Sequence, residues 1–349
     1  MTGGMTRPIS VGIIGLGRSG WDIHAAGVAR LDAYEIVATA DPVPERRAEA
    51  IERYGCTAYG TPEELVADPS VDVVVVATPS HTHLPLTVSA LEAGKHVVVE
   101  KPMAQSTAEV DAMVDAASSA GRVVTCFHNR RFDPSFLTVR DILASGRLGE
   151  LISIRRTLHR FVRRADWQTL RELGGGELSN TASHLLDQVL LLLDGEPTDL
   201  FADLRRTVSA GDAEDHVKLC FKTTTGPVAD IECSTAVAIP QPEWAITGTT
   251  GSLTVSDDHL TVRWFDPSGL PEPTPDAGAA AGRRYGSDER IEWFEESVDI
   301  DPPSGERTLR FYEALADTLL HGAELVVSPQ SVRRRIALLE HARQRAHRP

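Results

Sequence analysis

The pattern Gly-Leu-Gly-Arg-Ser-Gly occupies residues 15–20, directly after the apolar run Ile9–Ile14, which is predicted to be a strand. In a turn from strand to helix, the first glycine permits the tight bend and the second lets a pyrophosphate approach the backbone. The third allows the helix to pack closely on the sheet. The residues expected to bind a dinucleotide here are Gly15, Gly17, Arg18, Ser19 and Gly20.

Asp41 stands at the end of the second predicted strand, residues 35–40, about twenty residues beyond the last glycine of the loop. A carboxylate at this point can accept hydrogen bonds from both hydroxyls of a ribose and repels a 2′-phosphate, which favours NAD. Arg46 and Arg47 follow closely, and a nearby arginine can accommodate a 2′-phosphate, so NADP stays possible.

Polar residues follow two further buried strands, 71–77 and His96–Val99. The carboxyl ends of parallel strands border the cofactor crevice, so both loops should face the nicotinamide end. Pro102 restricts Lys101 to extended backbone, which makes Lys101 a candidate to polarise a substrate oxygen. The spacing of His81 and His83 suits a metal pair, but no further ligands are evident and we expect no metal. The residues expected beside the cofactor in these loops are Thr78, Pro79, His83, Glu100 and Lys101.

Strands and helices alternate in the first third of the chain, as expected for a doubly wound parallel sheet of the Rossmann type. A helix over residues 83–93 should end at Gly94, which supplies the positive φ of a C′ position. Beyond residue 127 the pattern predicts helices at 134–145, 184–193, 307–321 and Pro329–Arg345. Strands without intervening helices indicate a large, mainly antiparallel open sheet in an α+β domain. These predicted strands are 151–158, 200–208, 216–222, 228–235, 243–247, 252–255 and 260–265.

A length of 349 residues favours two domains, and we place them at residues 1–126 and 127–349. The net charge of −15 argues against nucleic-acid binding, because binding to phosphates requires clustered cations. Four scattered cysteines, no apolar leader and no long apolar run predict a cytoplasmic protein without membrane contact. Residues 266–301 are rich in proline, glycine and acids, and we expect a mobile surface loop there, with a substrate lid as the alternative.

Several stretches together resemble the Gfo/Idh/MocA family of oxidoreductases, which includes glucose–fructose oxidoreductase and inositol dehydrogenase. They are GIIGLGRSG, ATPSHTHLPLTVSALEAGKHVVVEKPMA, CFHNRRFDPSF, GGGELSNTASHLLDQVLLLL and EWAITGTTGSLTV, and they cover both domains. The resemblance implies NAD, a sugar or polyol substrate, and a homodimer or homotetramer. It implies that Lys101 contacts the substrate hydroxyl and the nicotinamide and that His184 is the general acid/base. It also places Asn129 and Arg131 at substrate-binding positions.

Asn180 departs from many family members, which carry aspartate four residues before the catalytic histidine. An asparagine can hydrogen-bond a substrate hydroxyl but cannot take a proton, and a subgroup with a DWQTL-like segment shares it. Asp187 could orient the imidazole or form an ordinary helix contact. The arginines at 155, 156, 160, 163 and 164 could bind a substrate anion, although an exposed strand face is the simpler interpretation.

The expected reaction is interconversion of a secondary alcohol and a ketone on a sugar, inositol or related polyol, with hydride transfer to or from NAD(P). Two alternatives remain: a glycosidase that retains its NAD, and a non-catalytic dinucleotide-sensing protein on the same fold.

Overall fold

The computed structural model describes residues 7–224, 226–272, 274–275, 289–302 and 304–346. Within them the chain forms two sheets, one of six strands and one of eight. Buried apolar residues of both sheets and of the helices between them belong to one continuous core.

The first sheet is parallel throughout, in the strand order β3-β2-β1-β4-β5-β6, which is the order of a dinucleotide-binding sheet. All four valines of β4 are buried, because helices cover both faces of the sheet. Gly94 has a φ of 76° and follows Ala93, the C-cap of the helix that it was predicted to end. The strands are β1 (Ile9–Ile14), β2 (Tyr34–Ala40), β3 (Thr57–Tyr59), β4 (Val73–Val76), β5 (His96–Val99) and β6 (Val124–Cys126). The helices are α1 (Ser19–Ala25 as π-helix, continued by Ala26–Val28), α2 (Pro44–Tyr54), α3 (Pro62–Val66), α4 (His83–Glu92) and α5 (Thr107–Ala120).

The second sheet follows helix α6 (Pro134–Ala144) and has the order β14-β13-β12-β11-β7-β10-β9-β8. It is antiparallel except where β7 and β10 pair in parallel. Burial alternates along β9, so one face packs on the core and the other is solvated. Its strands are β7 (Leu151–His159), β8 (Pro197–Arg205), β9 (His216–Thr223), β10 (Val228–Ser234), β11 (Trp244–Gly248), β12 (Gly251–Ser256), β13 (His259–Trp264) and β14 (Phe294–Asp299).

The helix predicted at 184–193 begins earlier, because Leu178–Ala182 form a π-helical segment that continues as Ser183–Leu191. We call this combined helix α7. The prediction of a surface loop over 266–301 was wrong for Phe294–Asp299, which pair with β13 as the edge strand β14. Residues 273 and 276–288 of that predicted loop lie outside the described residues.

Of the two carboxyl-terminal helices, α8 (Glu306–His321) packs against α1 and the 129–132 turn. The other, α9 (Pro329–Arg345), lies between α5 and β6 of the first domain and β8 of the second sheet. The Tyr34 hydroxyl donates to the carbonyl of Tyr312 at 2.6 Å, and Thr125 Oγ1 donates to the Val327 carbonyl at 2.8 Å. Elements from both ends of the chain therefore support the Rossmann sheet, and the domain boundary after residue 126 stays a prediction.

In the part of the chain that the structure describes, every helix is too short or too polar to traverse a lipid bilayer.

Candidate active site

The glycine loop joins β1 to α1. Gly15 has a φ of 92°, and a Cβ there would lie 2.7 Å from the carbonyl oxygen of Ala77. A Cβ on Gly20 would overlap the carbonyl of Gly15, so this position also requires glycine. By contrast, a Cβ on Gly17 would meet no described atom within 4 Å, which leaves the backbone open to an approaching group. The loop therefore fits a pyrophosphate, with Arg18 and Ser19 at the start of α1.

Asp41 ties this loop to the end of β2. Its carboxylate accepts hydrogen bonds from the Leu16 backbone N–H at 2.7 Å and from the Val43 N–H at 2.9 Å. Arg46 Nη1 lies 3.3 Å from the same carboxylate, and the side chain of Arg46 is half exposed. A carboxylate has lone pairs for further donors, so Asp41 can still accept hydrogen bonds from ribose hydroxyls.

His83 joins the loops that follow β4 and β5. Its Nδ1 lies 2.9 Å from the Pro102 carbonyl oxygen and its Nε2 lies 2.9 Å from the Thr78 carbonyl oxygen. A neutral imidazole can donate to only one of them, and burial lowers the pKa of this histidine. His83 is therefore placed to position these loops, including Thr78 and the exposed Pro79.

Glu100 is buried at the end of β5. One oxygen accepts from the Lys101 backbone N–H at 2.8 Å, and the other lies 3.3 Å from His24 Nε2. Burial alone would raise the pKa of Glu100, but the adjoining His24 ring and the charge of Lys101 lower it to about 2. His24 Nδ1 in turn lies 2.7 Å from the Tyr312 hydroxyl. The sequence carried no signal for His24, because its partners come from distant elements.

Lys101 follows β5 of the first sheet, and its side chain contacts α7. Its Nζ donates to Asn180 Oδ1 at 2.6 Å and to the Asn180 carbonyl oxygen at 3.4 Å. Burial lowers the pKa of Lys101, and the carboxylate of Glu100 opposes that effect. The ammonium has three N–H donors, so one remains for a substrate oxygen.

His184 lies on α7, one turn beyond Asn180, and is 6% exposed. Its Nδ1 has no hydrogen-bond partner among the described residues. Burial, together with the positive charges of Arg130 and Lys101, holds the pKa of His184 well below its usual range. The ring is therefore neutral at neutral pH and can accept a proton.

A hydrogen-bonded chain extends from Lys101 to the segment before α7. Asn180 Nδ2 donates to Gln168 Oε1 at 3.1 Å, and Gln168 Oε1 also accepts from Arg164 Nη2. Arg164 forms an ion pair with Asp166 at 2.8 Å. The DWQTL segment, distant in sequence from Asn180, thus contacts the same side chain.

The predicted substrate residues Asn129 and Arg131 lie in one 3-10 turn, Asn129–Phe132, but point differently. Asn129 lines the cleft. Arg131 is buried away from it, with its Nε and Nη2 each 2.8 Å from the carboxylate of Asp187. The structure therefore does not support Arg131 as a substrate ligand. Arg130, a residue that the sequence analysis missed, lines the cleft instead. Asp187 is likewise engaged by Arg131 and does not hydrogen-bond His184.

The arginines between 155 and 164 do not form one surface. Arg156 is fully buried, pairs with Glu243 at 2.7 Å and stacks over Trp244, which contradicts the solvated-face interpretation for that residue. Arg155 lies on the solvated face of the sheet, as that interpretation expects. Arg160 and Arg164 instead line the cleft.

These side chains surround a cleft of about 540 Å³ between the two sheets. No group of three histidine, cysteine or acidic side chains is placed to hold a metal in the portion of the chain described above. The lining residues are Arg18, Ser19, Ile23, Glu100, Lys101, Phe127, Asn129, Arg130, Arg160, Val162, Arg164, Gln168, Asn180, Thr181, His184 and Arg307.

Comparison with known proteins identifies both parts of the chain. Residues 9–128 match the GFO_IDH_MocA oxidoreductase family, described as an NAD-binding Rossmann fold. Residues 136–254 match the GFO/IDH/MocA C-terminal domain. The two matches extend on either side of the segment that carries Asn129 and Arg130.

The similarity to individual proteins agrees with these family matches. The chain is 36% identical over 214 residues to the uncharacterized oxidoreductase YdgJ of Escherichia coli, a match that spans 61% of each protein. It is 27% identical to the scyllo-inositol 2-dehydrogenase (NADP(+)) IolW of Bacillus subtilis, over 96% of this chain and 92% of that protein. Among solved structures, an NAD-binding protein from Listeria innocua superposes with a TM-score of 0.81 at 26% identity, covering 98% of this chain and 95% of that one.

Proposed function

The chain belongs to the Gfo/Idh/MocA family of oxidoreductases, and from that premise we propose that it interconverts a secondary alcohol and a ketone on a sugar, inositol or related polyol. One observation carries the proposal. Lys101, from the first sheet, and His184, from the helix under the second, line one cleft beside the glycine loop.

The residues around the loop fit a nicotinamide dinucleotide. Gly15, Gly17, Arg18, Ser19 and Gly20 would hold the pyrophosphate, Asp41 the adenosine ribose, and Thr78, Pro79, His83 and Glu100 the nicotinamide half. When bound, the nicotinamide supplies the acceptor or donor of hydride.

The protein's own groups handle the proton. In the oxidative direction neutral His184 accepts the proton of the substrate hydroxyl as the carbon is oxidised. Lys101 donates a hydrogen bond to the same oxygen and stabilises its developing negative charge. Asn180 orients the Lys101 ammonium through the 2.6 Å hydrogen bond, and both Asn180 and Asn129 can contact further substrate hydroxyls.

A substrate panel tests this function. Inositols, aldoses and other polyols are incubated with the protein and NAD or NADP, and NADH or NADPH is followed by absorbance. The proposal expects stoichiometric reduced cofactor and ketone from at least one substrate. Glycoside cleavage without net cofactor turnover would favour the NAD-retaining glycosidase. Cofactor binding without any turnover would favour the sensing protein.

We propose NAD as the preferred cofactor, because the Asp41 carboxylate would repel a 2′-phosphate. The half-exposed guanidinium of Arg46, 3.3 Å from that carboxylate, is the group available to a 2′-phosphate. Comparing kcat/KM for NAD and NADP tests the preference. Arg46→Ala should weaken NADP use and leave NAD use unchanged.

We also propose a homodimer or homotetramer built on the solvated face of the second sheet. Large apolar side chains lie exposed on it, including Val228 at 38% and Phe201 at 58%. Light scattering after size exclusion tests the state, and a monomer would refute it. Paired charges introduced at Val228 and Phe201 should dissociate the assembly.

A further inference from the structure

Arg130 stands out among the cations of the cleft. It is the second residue of the Asn129–Phe132 turn and is half-buried. Its backbone carbonyl accepts a hydrogen bond from Gln188 Nε2 at 2.8 Å, which fixes the turn. Its guanidinium, however, forms no ion pair or hydrogen bond with any described residue.

The neighbouring arginines are neutralised by carboxylates of the same chain. Their ion pairs are Arg160 with Glu177 at 2.7 Å, Arg164 with Asp166 at 2.8 Å, and Arg307 with Asp133 at 2.9 Å. Arg18 also lacks a partner in the described residues, but it precedes α1 within the glycine loop, where the proposed cofactor would place its phosphates. Arg130 is therefore the guanidinium left for the substrate side.

The charge of Arg130 acts directly on the chemical centre. Among the charged side chains that lower the pKa of His184, Arg130 has the largest effect, followed by Lys101. It also lowers the pKa of Lys101. Burial in turn lowers the pKa of Arg130 itself, since a largely desolvated cation without a partner is unfavourable. An anion in the cleft would remove that cost.

On the basis of the proposed function, we propose that the substrate is a sugar acid or other polyol bearing a carboxylate, and that Arg130 binds the carboxylate. The planar guanidinium can donate two parallel hydrogen bonds to such a group. Arg130 thereby determines specificity, while Lys101 and His184 act on the hydroxyl that is oxidised.

The charge balance favours a carboxylate over a phosphate. A carboxylate carries one negative charge and matches one free guanidinium. A phosphate ester carries about −1.5 to −2 at neutral pH and would need a second free cation. Arg160, Arg164 and Arg307 cannot supply it without breaking their own ion pairs.

The test compares matched sugar acids and their neutral amides, such as glucuronate with glucuronamide and gluconate with gluconamide. Glucose 6-phosphate serves as the phosphate probe. The protein is assayed with bound cofactor by two readouts, kcat/KM from NADH absorbance and dissociation constants from calorimetry. We expect an acid to be preferred over its amide by on the order of ten- to a hundredfold, the range of a charge-assisted hydrogen bond.

Arg130→Met should remove that preference, so that acid and amide give equal values. Because the charge of Arg130 also lowers the pKa of His184, its loss changes kcat/KM for both compounds, and the ratio of acid to amide is therefore the measure. Arg130→Lys should retain part of the preference for the acid over its amide. Arg140→Met is the matched control, because Arg140 is exposed on α6 beside Asp141, and its loss should leave the ratio unchanged.

Four outcomes would overturn the proposal: equal values for acid and amide in the parent protein, an equal loss for both in Arg130→Met, weaker NAD binding with an unchanged ratio, or a preference for the phosphate probe. The binding readout separates this proposal from the proposed function. Selective binding of the acid without any turnover would refute the oxidoreductase function and leave the role of Arg130 standing.

Discussion

Replacing Asn180 with aspartate adds one negative charge to the centre of the cleft with almost no change in shape. Asn180 Oδ1 accepts from Lys101 Nζ at 2.6 Å and from Gln168 Nε2 at 3.3 Å. A carboxylate can accept both bonds, but it loses the bond that Asn180 Nδ2 donates to Gln168 Oε1 at 3.1 Å. Comparison with Asn180→Ala, which loses all of these bonds without adding charge, separates the effect of charge on His184, which lies about one helical turn away.

The size of the effect follows from Coulomb's law. A unit charge about 6 Å from the imidazole, at an effective dielectric constant of about 20, contributes about 2.8 kcal/mol, or about two pH units. The ammonium of Lys101, which is hydrogen-bonded to residue 180, offsets part of this field. We therefore expect the pKa of His184 to rise by roughly one to two pH units in Asn180→Asp.

The sign of the pH shift is fixed by the proposed role. Oxidation requires neutral His184, so kcat/KM for the alcohol declines as pH falls through its pKa. In Asn180→Asp this acidic decline should move to higher pH, while ketone reduction near neutral pH gains. The assay is kcat/KM against pH in both directions. Asn180→Ala is the control, because it removes the hydrogen bonds without adding charge. An acidic decline that stays in place or moves to lower pH in Asn180→Asp would refute His184 as the base.

Two other replacements test the cofactor loop and the buried ion pair. Gly17→Ala should fold with an unchanged Tm, because its Cβ meets no described atom within 4 Å, yet lose NAD affinity by tenfold or more in calorimetry. Gly269→Ala, equally open, should change neither value. Asp187→Asn should lower the free energy of unfolding by about 3–5 kcal/mol in urea titrations, since Arg131 would stay buried without its counter-charge. A loss below about 1 kcal/mol would contradict that account.

The first sheet could be predicted from the sequence because its signals are local. Short β-branched runs, helix ends and glycines with positive φ depend on neighbouring residues, and β1 and β5 have the predicted bounds. Antiparallel organisation of the second sheet was also predicted. The parallel pairing of β7 with β10 was not, because it joins distant segments whose pattern does not specify the partner. The edge strand β14 was missed since its exposed, acidic sequence lacks a buried face.

In the candidate site, too, the features with local sequence signals could be predicted and those set by tertiary contacts could not. Motifs indicated the glycine loop, Lys101 and His184, and the structure places all of them at one cleft. Adjacent arginines were not distinguishable in sequence. In a 3-10 turn successive side chains point about 120° apart, so Arg130 reaches the cleft while Arg131 turns to Asp187. The contact of Asn180 with Gln168 likewise depends on tertiary folding.

The central claim is that His184 transfers the proton in an oxidoreductase reaction, and His184→Ala tests it most directly. With a substrate identified from the panel, kcat should fall by about 10²- to 10⁴-fold, the usual contribution of a general acid/base. NAD affinity, measured by calorimetry, should not change, and His321→Ala at the exposed end of α8 should retain full activity. An unchanged kcat in His184→Ala, with NAD still bound, would contradict the account.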